Sequence, residues 1–270
     1  MLISGKDNPK LKRLTKLCRS RSFRKSEGVF VIEGLRNCAD AVKSYERGLL
    51  GITAFFYDSN ALKDNGYVPA EAFDAVPDEM RFELAEGLAD RVSETKSSQG
   101  VFLIAKRLDR ELTELDAART PKILVLNAVK DPGNLGTLLR TADAVGIKAA
   151  VMTGECAEVY NPKVVRSAMG CLPRLELYIE NDFSAVTGAL NDQGVMTCAA
   201  VVKGGKSVPG FEFGEKCAVV IGNEARGLSE EDAALCSERI TITMRGSAES
   251  LNAASAGSII MWEMLRGDLL

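Results

Sequence analysis

Five polar residues stand where chemistry could occur: Asn134 and Arg140 in DPGNLGTLLRTADAVG, Glu224 in VVIGNEARGLSEE, and Ser250 and Asn252 in ITITMRGSAESLNAASAG. Each stretch follows an apolar run, so each lies at the carboxyl end of a strand, where open parallel sheets bind ligands. In the first stretch Leu135, Leu138, Leu139, Ala142 and Val145 form a buried helical face, while Gly133, Gly136 and Arg140 line up on another. The two glycines leave Arg140 an open approach to a bulky anion, and Asn134 sits in the first helical turn, where free N–H groups favour negative charge. Arg140 could instead simply pair with Asp143 at i+3. Glu224 could accept from a sugar hydroxyl or a ligand amine, or merely cap local backbone. Ser250 could be only the N-cap of the last helix. The chain has no histidine, which removes Ser-His-Asp and Cys-His catalysis, histidine-ligated metals and a histidine general base. It has neither a GKS/GKT phosphate loop nor a GxGxxG fingerprint.

These loops need strands and helices to hold them. GVFVIEG, ITAFFYD and VFLIAKR read as strands, with FDAV a further candidate; LRNCADAVKSYERG and PDEMRFELAEGLADR read as helices. That alternation predicts a small α/β domain over residues 1–106. The charged stretch 107–121 lacks an apolar face and reads as a linker. From Lys122 the alternation restarts and runs to residue 270, with a C-terminal helix from about Leu251. Its strands are continuous apolar runs, as a parallel sheet covered on both faces requires. The overall class is α/β.

The composition, 46% hydrophobic and 26% charged, excludes a disordered, collagenous or disulfide-framework chain. No apolar run approaches a transmembrane span and the N-terminus lacks a signal-peptide core, so a cytoplasmic location is expected. Seven scattered cysteines without a CxxC pair read as reduced, packed thiols, with no metal. Charge is uneven. Residues 1–25 carry nine Lys or Arg against one acid, a local charge of +8 in a chain of net −3, so the remainder is −11. Asn8 and Pro9 start a helix there, with Leu11, Leu14, Leu17 and Cys18 on one face. Its cations, Lys12, Arg13, Lys16, Arg19 and Arg24 among them, are candidates for phosphate contact; the alternative is a solvated helix face.

Taken together and in order, DPGNLGTLLRTADAVG, VVIGNEARGLSE and ITITM…ESLNAASAG resemble the three motifs of the SpoU/TrmH family, RNA ribose 2′-O-methyltransferases of the SPOUT superfamily. The N-terminal FVIEGLRNCADAV resembles the substrate-binding domain of many members, a fold akin to RNA-binding ribosomal proteins. The resemblance implies a deep trefoil knot in the C-terminal domain, with S-adenosyl-L-methionine bound at Gly222, Asn223, Ile242, Met244 and Leu251. It implies catalytic roles for Asn134, Arg140, Glu224, Ser250 and Asn252, a homodimer, and an RNA substrate. The first motif is most similar to the branch acting on large-subunit ribosomal RNA. Two positions depart from the pattern: Thr243 stands where the family often has Pro, and Ala253 where Val is common.

With no histidine, the ribose proton needs another acceptor. Arg140 reads best as a cation that holds a phosphate and stabilises the developing alkoxide, with the proton leaving through phosphate or water. Asn134 and Asn252 would orient ribose and Arg140, Glu224 would anchor them, and Ser250 would fix the last loop. A tRNA 2′-O-methyltransferase, a base-methylating relative and a noncatalytic RNA-binding homologue are the competing readings.

Overall fold

The computed structural model describes residues 1–63, 68–95 and 98–266. By contact the chain forms two compact units, Met1–Leu108 with Glu158–Pro173, and Asp109–Ala157 with Arg174–Leu270. Labels below count along the whole chain.

The first unit holds β1 (Leu2–Ile3), α1 (Pro9–Arg19), α2 (Arg21–Glu27), β2 (Val29–Glu33), α3 (Leu35–Glu46), β3 (Ile52–Tyr57), α4 (Ser59–Lys63), β4 (Arg81–Leu84), α5 (Leu88–Val92) and β5 (Val101–Lys106). Its sheet runs β1-β4-β3-β5-β2, with β5 antiparallel to both neighbours. As the sequence requires, Asn8 caps α1 by accepting from the Lys10 N–H, and Pro9 opens the helix. Leu11, Leu14 and Leu17 bury one face of α1 in a cluster with Val29, Val31 and Phe56.

Four local expectations are corrected in this unit. The expected helix PDEMRFELAEGLADR is a 3-10 turn, then β4, then the short α5; Phe82 and Leu84 alternate inward at strand period. FDAV is turn rather than strand. The segment Glu158–Pro173, read as part of the second domain, packs in the first unit. Its helix, α7 (Pro162–Ser167), buries Val164 and Val165, and its Tyr160 ring lies 4.7 Å from that of Phe30. The expected loop KSSQG lies partly outside the described residues.

The fourth correction concerns Arg24. The basic segment breaks at Ser20, whose extended backbone ends α1 and whose Oγ accepts from the Phe23 N–H to start α2. The break turns Arg24 inward. It is 2% exposed and donates to the Leu17 and Cys18 carbonyls and to Glu158.

The second unit is an eight-stranded, wholly parallel sheet. In chain order it comprises β6 (Asp109–Arg110), β7 (Lys122–Asn127), α6 (Pro132–Val145), β8 (Ala149–Thr153), β9 (Glu176–Ile179), α8 (Phe183–Asp192), β10 (Met196–Ala200), β11 (Lys206–Ser207), β12 (Cys217–Ile221), α9 (Glu230–Ala234), β13 (Glu238–Thr241) and α10 (Ala253–Leu265). Spatial order is β11-β13-β10-β12-β7-β8-β9-β6, so the chain progresses in opposite directions from the β7–β12 pair. Ile123 and Val125 pack with Phe183, Val186 and Leu190 of α8. On the opposite face α10 lies against α6 and β12, where Gly257 leaves no room for a Cβ beside Leu138. The stretch 107–121 is not a free linker: β6 pairs with β9, and Leu115 and Ala117 are buried in the sheet's α8-side core. All seven cysteines are free thiols; Cys198 and Cys217 lie 3.6 Å apart without bonding. No helix among the described residues is long and apolar enough to cross a membrane.

Candidate active site

The three polar stretches meet at the carboxyl ends of β7 and β12, where the sheet changes direction. Asp131 caps α6 by accepting from the Asn134 N–H at 2.8 Å. Beyond β12 the chain folds into a tight hairpin, with the Asn223 and Gly227 backbones bonded in both directions. That closure dictates glycine at 222, where a Cβ would stand 2.5 Å from the Gly227 carbonyl carbon. Gly227 itself has φ 68°, a conformation glycine adopts without strain.

Glu224 does not cap local backbone. Its carboxylate accepts from the Lys130 and Asp131 N–H groups at 3.1 and 2.9 Å, more than ninety residues away in sequence. It also accepts from Asn134 Nδ2 at 3.2 Å and Asn223 Nδ2 at 3.4 Å. Burial pushes this carboxyl up, but the backbone and side-chain donors together outweigh that and hold it below the usual carboxylate range. Asn252 continues the network. Its Nδ2 donates to Asn134 Oδ1 at 3.0 Å, while its own Oδ1 accepts from the Ala254 and Ser255 N–H groups. Asn252, not Ser250, is therefore the N-cap of α10, which begins at Ala253 rather than Leu251. One line of hydrogen bonds, Glu224–Asn134–Asn252, joins all three stretches.

Arg140 lies on the exposed side of α6 and has no ion pair or hydrogen bond among the described residues. Its alternative partner is occupied: Asp143 accepts from Arg174 at 2.7 and 3.0 Å.

Next to the network is a pocket. Gly222, Asn223, Ile242, Met244 and Leu251 line it, as do Glu224 and Ser250. Ile221, Ile240 and Ile260 complete its apolar wall. Two lining residues escaped the sequence reading, Arg226 and Glu249; both are exposed charges in loops, and only proximity distinguishes them. Asn127 was missed too. It is a buried side chain at the end of β7 that donates to Asp232 at 3.0 Å, fixing the start of α9. Among the described residues no cluster of His, Cys, Asp or Glu could hold a metal.

In the basic segment, Lys12, Lys16 and Arg19 are exposed. Lys12 pairs with Asp7 at 2.8 Å, Lys16 lies 4.2 Å over the Phe23 ring, and Arg19 donates to the Arg91 carbonyl. Arg13 pairs with Glu27 at 2.9 Å. Arg24 is removed from the candidate RNA contacts by its burial.

Residues 121–262 match the model of the SpoU rRNA Methylase family, and residues 8–103 that of an MRM3-like substrate binding domain. The chain belongs to the SpoU rRNA methylase family. It is 30% identical over 268 residues to the 23S rRNA (guanosine(2553)-2′-O)-methyltransferase RlmP of Bacillus subtilis (strain 168), covering 98% of this chain and 99% of that protein. Among solved structures it is similar to an RNA 2′-O ribose methyltransferase, with TM-score 0.83 and 25% identity over the whole of both chains. It is also similar to the SpoU methyltransferase AviRb from Streptomyces viridochromogenes in complex with AdoMet, with TM-score 0.80, 26% identity, and 97% and 98% of the two chains covered.

Proposed function

We propose that the chain transfers a methyl group from S-adenosyl-L-methionine to a ribose 2′-OH of 23S-type ribosomal RNA. The observation that carries this is the Glu224–Asn134–Asn252 line beside the pocket, with Arg140 left unpaired on α6. The pocket's residues suit the donor: Ile242, Met244 and Leu251 offer apolar wall, while Arg226 and Glu249 offer opposite charges to a zwitterion. When bound, S-adenosylmethionine supplies an activated sulfonium methyl. The chain's own task is then to hold a ribose oxygen in line with it, an effect that can reach about 7–11 kcal/mol.

Glu224 is committed to four donors and stays ionised as an anchor rather than a base. It fixes Asn134, which with Asn252 orients the ribose. Arg140 holds the RNA phosphate and stabilises the developing alkoxide, and the proton leaves through phosphate or water. Ser250 steadies the loop before α10. Because the reaction needs a 2′-OH, DNA is not a substrate.

The finer architecture belongs to the same reading. The segment around the pocket forms a trefoil knot, and the first unit, akin to RNA-binding ribosomal proteins, holds substrate. Lys12, Arg13, Lys16 and Arg19 contact phosphate. Two chains pair through α6 and α10, where Ile259 and Trp262 are 41% and 50% exposed. The enzyme works in the cytoplasm. Labelled methyl transfer to ribosomal and transfer RNA, with ribose-methylation mapping in a deletion strain, tests the reading. Label in a base, or no label in ribosomal RNA, overturns it.

A further inference from the structure

The first unit contains a second cavity, of about 580 Å³, between the β2–α3 turn and the residues that follow α7. Glu33, Gly34, Leu35, Arg36, Arg166 and Met169 line it. Three features make it more than a surface dent. Glu33, 7% exposed, accepts from Ser93 Oγ and from Arg166 Nη1 at 3.0 Å. That ion pair cancels one of the two guanidinium charges and holds Arg166 at the cavity wall, so Arg36 leaves the lining with a net positive charge. Gly34 has φ 98°, and a Cβ there would stand 2.8 Å from Gln99 Oε1, so the backbone is bare at the mouth. Finally, Met169 has φ 48° and is 40% exposed. A left-handed, solvent-facing methionine stabilises no core, and strained residues of this kind cluster at ligand sites.

We infer that this cavity receives one unstacked nucleotide of the RNA substrate, its phosphate at Arg36 and its base against Met169 and Leu35. The inference rests on the ribosomal RNA methyltransferase reading above. The chemistry fits: a cation beside an apolar platform matches an anion joined to a flat π surface, and sequence-bearing RNA contacts favour splayed bases.

The test uses the full chain and 4-thiouridine-substituted fragments of 23S ribosomal RNA. Photo-cross-links are mapped by peptide mass, and affinity is measured for Met169→Gly and Arg36→Gln. Glycine adopts the position-169 backbone freely, so Met169→Gly should keep or raise the melting temperature and leave S-adenosylhomocysteine affinity unchanged. RNA binding should weaken by about tenfold, the scale of losing one base platform. Arg36→Gln should lower the salt slope of RNA affinity by about 0.7. Cross-links should fall on residues 34–37 or 169. Cross-links confined to other segments, or RNA affinities within about twofold of wild type for both variants, overturn the inference while leaving the methyltransferase reading intact. Tight calorimetric binding of free nucleoside monophosphates, without any change in RNA affinity, also overturns it. A wild-type chain that neither binds nor methylates ribosomal RNA overturns both.

Discussion

Arg24 and Glu158, 134 residues apart, form a two-pronged ion pair inside the first unit, Nε donating to Oε1 at 2.8 Å and Nη2 to Oε2. Their side chains are 3% and 11% exposed, and Arg24 Nη1 also caps the Leu17 and Cys18 carbonyls at the end of α1. The pair thus ties the end of the basic helix to the segment that leads into α7.

Removing one partner should therefore cost stability, not RNA affinity. Arg24→Ala leaves a buried carboxylate alone, a loss of about 3–5 kcal/mol. Urea unfolding should report that loss. RNA affinity measured where the variant is folded should be unchanged.

The opposite outcome is expected for Lys12→Glu, Lys16→Glu and Arg19→Glu together. These cations are exposed, and their single contacts to Asp7, Phe23 and Arg91 contribute little. RNA affinity should fall and its salt dependence flatten, with S-adenosylmethionine binding intact. An unchanged salt slope would reduce α1 to a solvated face.

Arg140→Ala should abolish methyl transfer yet preserve cofactor affinity by calorimetry. The substitution breaks no contact among the described residues, because Asp143 belongs to Arg174. Parallel loss of cofactor binding would move Arg140 into the pocket's machinery instead.

Asn252 has two separable tasks. Asn252→Ala loses the α10 cap, about 1 kcal/mol, and the bond to Asn134. Asn252→Ser restores an oxygen for the cap but offers no amide donor. Stability should return in the serine variant and turnover should not.

Glu224 sets a pH signature. Its carboxyl titrates below the ordinary value of 4.5 when folded, so its stabilising contribution is complete above that value and is lost as pH falls through the lower folded one. In urea titrations from neutral to acid pH, the gap between wild type and Glu224→Gln should be widest near neutrality and close at the acid end.

The sequence was most informative where one physical rule dominated. Continuous apolar runs such as KILVLN and CAVVI could only be strands covered on both sides, and β7 and β12 are. The two-residue polar strands β6 and β11 carry no such pattern. RFEL was misread because its neighbours are good helix formers, and only the sheet decides otherwise. Arg24 looked like its neighbours because charge counting does not see the break at Ser20. At the site, motif order identified Asn134, Glu224 and Asn252. The bonds joining them span 90 and 118 residues, and no local pattern encodes that distance. Asn127 and Asp232 were invisible for the same reason.

The excursion of Glu158–Pro173 bears on how this chain can be divided. The segment lies in sequence between β8 and β9, two paired neighbours of the second sheet, yet its core side chains Tyr160, Val164, Val165 and Leu172 are completed by the first unit. A cut at residue 121, where the family boundary falls, would strand those side chains in water along with the acid that neutralises Arg24. The fragments on either side of such a cut are not interchangeable modules. A swap of substrate-recognition units between relatives would have to carry this sixteen-residue graft along, or refit its surface.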